Sequence, residues 1–69
     1  MEAAINLAQS ASEEMETVKL YLQRMAESPD EAELYREVIA EELKHTLQFV
    51  EAITRLTGIK PEDYEVEEV

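Results

Sequence analysis

Cysteine and tryptophan are absent, glycine occurs once, proline twice, and six basic residues stand against seventeen acidic ones in a chain of 69. Without cysteine there is no disulfide framework, no thiolate metal site and no cysteine nucleophile. One glycine and two prolines supply too little turn chemistry for a sheet of several hairpins. A formal charge of −11 cannot coat phosphates, which excludes nucleic-acid binding through the backbone and adsorption to an anionic membrane surface. Apolar runs extend only a few residues, too short to span a bilayer. The opening Met1-Glu2-Ala3 has neither the basic segment nor the apolar stretch of a secretory signal. The expectation is a soluble, cytoplasmic, helical chain. Below roughly 70–80 residues one small core seldom suffices, so self-association, metal binding or both are expected to complete it.

What is present is helical sequence with one strong break. Ser28-Pro29-Asp30-Glu31 has an N-cap serine, a proline suited to the first helical position, and a glutamate placed to complete a capping box. Asp30, Glu31 and Glu33 complement the positive end of the helix dipole. Gly58, the only glycine, follows Arg55-Leu56-Thr57 where a left-handed C′ residue is wanted. A helix is therefore predicted from about 29 to 57. Upstream, about 3 to 27 reads as another, with Asn6 or Ser10 as alternative caps for a later start. A connection of about two to three residues makes an antiparallel hairpin over 1–58, with helices about 36–42 Å long. Residues 59–69 read as an acidic tail whose docking candidates are Ile59 and Tyr64.

Apolar positions spaced three or four apart define the inner faces. In the first helix they are Leu7, Ala11, Glu14, Val18, Tyr21 or Leu22, and Met25. In the second they are Tyr35, Val38 or Ile39, Glu42, His45, Phe49, Ile53 and Leu56. Each stripe is interrupted by ionisable residues. Burying an unpaired carboxylate costs several kcal/mol or forces protonation, so Glu14 and Glu42 each need a compensating partner. Glu41 does not: it lines up with Glu37, Lys44 and Gln48 on a solvated face.

Glu42-x-x-His45 puts a carboxylate and an imidazole one helical turn apart. A glutamate on one helix facing Glu-x-x-His on another is half of the ligand set of a carboxylate-bridged di-iron site. The motif alone is weak, because glutamate fills 15 of 69 positions; Glu14 inside the facing stripe strengthens it. Two hairpins about a two-fold axis would supply four carboxylates and two imidazoles, enough for two metals in a four-helix arrangement. Their four negative charges match two ferrous ions. Such ligands suit iron and manganese, with another divalent metal as substitute, better than copper(I), and the absence of thiolates argues against iron–sulfur or structural zinc. Taken singly, the residues have plainer readings. His45 alone would be a core or edge histidine, Tyr21 a packing residue, Met15 and Met25 core filler, and Glu13 and Glu16 a solvated face.

On Glu13-Glu14-Met15-Glu16-Thr17-Val18-Lys19-Leu20-Tyr21 and Glu41-Glu42-Leu43-Lys44-His45 the chain resembles the encapsulated ferritins, half-ferritins of the ferritin-like superfamily. It is similar too to the ferritin-like segment fused to some archaeal encapsulin shell proteins, and more distantly to rubrerythrin helices. The resemblance covers about Leu7 to Leu56. It implies an all-α hairpin that dimerises into a ferritin-like four-helix bundle. The implied iron ligands are Glu14, Glu42 and His45 from each chain, with Tyr21 beside the site and Glu13 and Glu16 as outer metal-uptake carboxylates. Leu20 stands where the best-known members have tryptophan, and the inter-helix loop is slightly shorter.

The implied activity is a ferroxidase, oxidising Fe(II) with dioxygen at a di-iron site shared by two chains. Glu42 and its symmetry mate are the favoured bridging or chelating pair, with Glu14 and His45 as terminal ligands, although sequence does not fix which glutamate bridges. The implied assembly is a homo-oligomer, a dimer as minimal unit and a decameric ring of dimers, serving iron storage or detoxification inside an encapsulin nanocompartment. The tail carries no recognisable cargo tag. A rubrerythrin-like di-iron peroxidase and a metal-free helical adaptor are the rival readings.

Overall fold

A computed structural model describes residues 1–60 and residue 62. The fold is an all-α hairpin: α1, Glu2–Glu27, a single 3-10 turn, Pro29–Glu31, and α2, Ala32–Thr57. Tyr64 and most of the acidic tail expected over 59–69 lie outside the described residues. Neither helix is long and apolar enough to cross a membrane.

No glycine or proline interrupts either helix, and each begins with acidic and ends with basic side chains, as the macrodipole favours: Glu2 and Arg24 in α1, Glu33 and Arg55 in α2. Pro29 ends α1, because its ring excludes the residue before it from helical geometry. Ser28 accordingly adopts φ −130°, ψ 73°. Its N–H still donates to the Arg24 carbonyl at 2.9 Å, and its own carbonyl accepts from Glu31 N–H at 2.9 Å. The expected capping box does not form. Ser28 makes no side-chain cap bond, because the 3-10 turn occupies the segment and the α-helix begins at Ala32. At the other end Gly58 takes φ 73°, and its N–H donates to the Thr54 carbonyl at 2.8 Å. This is the left-handed stop that only glycine adopts without strain.

The Tyr21 and Tyr35 rings meet with centroids 5.9 Å apart, seven residues on the turn side of the level where Glu14 meets Glu42. That spacing fixes an antiparallel register. Ala4, Leu7, Ala11, Glu14, Val18, Tyr21 and Met25 follow at alternating steps of three and four, the repeat of a helix seam. Of the expected inward residues, Val18 and Ile39 are buried, joined by Ala4. Leu7, Ala11, Tyr21, Met25, Tyr35, Val38, Phe49 and Ile53 are only half-buried. Leu22 and Met15 lie exposed on a flank of α1, and Leu56 is exposed at the open end, level with a position before the first residue of α1. The molecule is 15 Å across its shortest dimension, little more than one helix diameter. It is a single layer, whereas an enclosed core takes two.

Candidate metal centre

Halfway along the hairpin the two interrupted stripes face each other. Glu14 projects from the middle of α1; Glu42 and His45 project from successive turns of α2. One ligand atom from each lies within 4.8 Å of the others. Among the described residues these three form the one such group of carboxylates and imidazoles. Local structure holds them in ordinary helix: the Thr46 hydroxyl donates to the Glu42 carbonyl at 3.0 Å, one turn back.

His45 Nδ1 and Glu14 Oε2 are 3.8 Å apart, too far for a hydrogen bond. Two donors bound to one divalent ion at about 2.1 Å each sit about 3–4 Å from one another, so the gap has the size of a shared cation. Glu14 Oε2 is buried and has no hydrogen-bond partner. An unsatisfied buried acceptor costs about 1–3 kcal/mol. The Glu14 side chain is 26 % exposed and that of His45 46 %, so the group is partly open to solvent, more so at the imidazole. Two carboxylates and an imidazole are a donor set for iron, manganese or zinc. The residues fit a divalent metal as half of a coordination shell, with room for ligands from outside the chain.

Glu13 and Glu16 lie on the exposed side of α1, outside this group. Gln9 Nε2 donates to Glu13 Oε1 at 3.3 Å, the ordinary bonding of a solvated face. Tyr21 lies two turns from Glu14, about 10 Å along the axis. Its ring packs on Tyr35 and lies 5.8 Å under the Arg24 guanidinium. Within the hairpin its hydroxyl bonds none of the three ligand residues. The Arg24 contact escaped the sequence reading, although the i, i+3 spacing of Tyr21 and Arg24 is a signal for it. Glu41 lies exposed one residue before Glu42, as its solvated neighbours indicate.

No protein-family model matches this chain, and neither a curated protein nor a solved structure is detectably similar to it.

Proposed function

We propose that the chain is a ferroxidase of the encapsulated-ferritin type, with Fe(II) as its substrate. The observation that carries this reading is the orphaned, buried Glu14 Oε2, 3.8 Å from His45 Nδ1 and grouped with a Glu42 carboxylate. Two hairpins related by a two-fold axis bring their open faces together and complete the coordination of two ions. Glu14, Glu42 and His45 of each chain hold the iron. Their carboxylates favour Fe(III) over Fe(II) because anionic oxygen donors stabilise the higher charge more. Two Fe(II) give up one electron each, and one dioxygen accepts both electrons and two protons from water to leave as hydrogen peroxide. Glu13 and Glu16 gather cations at the outer face under the field of a −11 chain. A ring of such dimers, decameric and enclosed in an encapsulin shell, is the assembly that the resemblance supports.

The test is anaerobic addition of stoichiometric Fe(II), admission of air, and measurement of near-ultraviolet absorbance together with oligomer mass. Wild type oxidises iron faster than buffer and gains mass with metal; Glu42→Ala and His45→Ala do neither. Variants that match wild type in both measurements sink the metal reading. A Tyr21→Phe variant that oxidises iron at the wild-type rate confines Tyr21 to packing.

A further inference from the structure

α2 carries a second apolar line that the hairpin does not use. Leu43, Leu47, Val50 and Thr54 follow one another at steps of four, three and four, the repeat that receives another helix. Leu47 is 57 % exposed and Leu43 46 %. Leu47, Val50 and Thr54 line a shallow hollow of about 430 Å³, bounded by Glu51 and Arg55. Leu47 is two residues beyond His45, hence about 200° further round the helix, so this line and the imidazole face opposite ways.

We propose that this line docks a second copy of the same chain, α2 against α2, antiparallel about a two-fold axis at the level of Ile53. Charge selects that occupant. Glu51 and Arg55 are four residues apart on one side of the line, and neither makes an ion pair within the hairpin. A two-fold axis midway between them sets Glu51 of each copy against Arg55 of the other, so both charges are matched twice. An acidic helix would match Arg55 and oppose Glu51; a basic one would do the reverse. The same operation carries each Leu47 toward the other copy's Ile59, a second exposed apolar side chain. Val50 and Thr54 of the two copies then interleave between those ends. The inference stands apart from the metal reading, because it uses the other face of α2 and none of the three ligands.

The experiment is sedimentation equilibrium of the whole chain in EDTA, with helicity followed by circular dichroism. The samples are wild type, Glu51→Arg, Arg55→Glu, their equimolar mixture, the double swap Glu51→Arg/Arg55→Glu, and His45→Ala. Wild type, His45→Ala and the double swap should self-associate alike. Each single reversal sets like charges face to face and should weaken association about tenfold or more. The mixture pairs a copy bearing two arginines with one bearing two glutamates, and association should return. A single variant that loses helix alone and regains it in the mixture supports the proposal equally. Wild type that stays monomeric in EDTA overturns it, as do single variants that associate like wild type or a mixture that fails to recover.

Discussion

At the scale of single residues, Glu14 is the one whose position is costly in the isolated hairpin. Its Oε2 is shielded from water and bonded to nothing, while Glu41 and Glu13 carry the same charge on exposed faces. Two opposite effects of one substitution follow. Glu14→Leu in EDTA should raise unfolding free energy by about 1 kcal/mol, because it removes an unsatisfied buried acceptor. Calorimetric titration with Fe(II) without oxygen should meanwhile show metal affinity down by at least about tenfold, with Glu41→Gln unchanged in both assays. A Glu14→Leu variant less stable than wild type in EDTA would mean that the carboxylate has another role in the hairpin. This group was legible beforehand because three-and-four spacing alone sorts Glu14 and Glu42 from their solvated neighbours. The exposure of His45 was not, since periodicity ranks a residue as inward without saying whether the facing helix is wide enough to cover it.

The helices and their ends differ in how plainly sequence declares them. Gly58 is both the only glycine and the left-handed stop of α2, a match enforced by sterics. With nothing within 4 Å of a side chain there, Gly58→Ala should cost about 1 kcal/mol from backbone strain alone, measurable as a lower thermal midpoint. The start of α2 was misread in detail. Ser28-Pro29-Asp30-Glu31 satisfies the capping-box pattern, yet a 3-10 turn occupies the segment, Glu31 N–H bonds the Ser28 carbonyl, and the α-helix starts only at Ala32, out of reach of the Ser28 hydroxyl. Ser28→Ala should therefore shift stability by less than about 0.5 kcal/mol, where a working cap would cost about 1 kcal/mol. Leu22 and Met15 show the other gap. Leu22 is an alternative in the α1 stripe and Met15 reads as core filler, and both stay exposed, because one facing helix covers a narrower strip than the apolar arc.

The whole molecule inherits both shortfalls. Among the described residues only Ala4, Val18 and Ile39 are buried, in a layer 15 Å thick, a small core to set against the chain entropy of 52 helical positions in two 26-residue helices. On the proposed reading the covering layer comes from association. The two lines on α2, one through Glu42 and His45 and the other through Leu47 and Val50, face different ways, so two distinct two-fold contacts are geometrically compatible in one chain. Repeated alternately, such contacts close into a ring or run on as a row. Stability then becomes a function of concentration and of metal. In EDTA the thermal midpoint should rise with chain concentration across the micromolar range. Divalent metal at about a hundred times its dissociation constant should add about 2.7 kcal/mol, or roughly 10–20 °C for a chain of this size. His45→Ala should keep the concentration dependence and lose the metal increment, which separates packing between copies from coordination between them. A midpoint indifferent to concentration would instead identify the single layer as self-sufficient, and neither α2 line would then be needed to hold the fold.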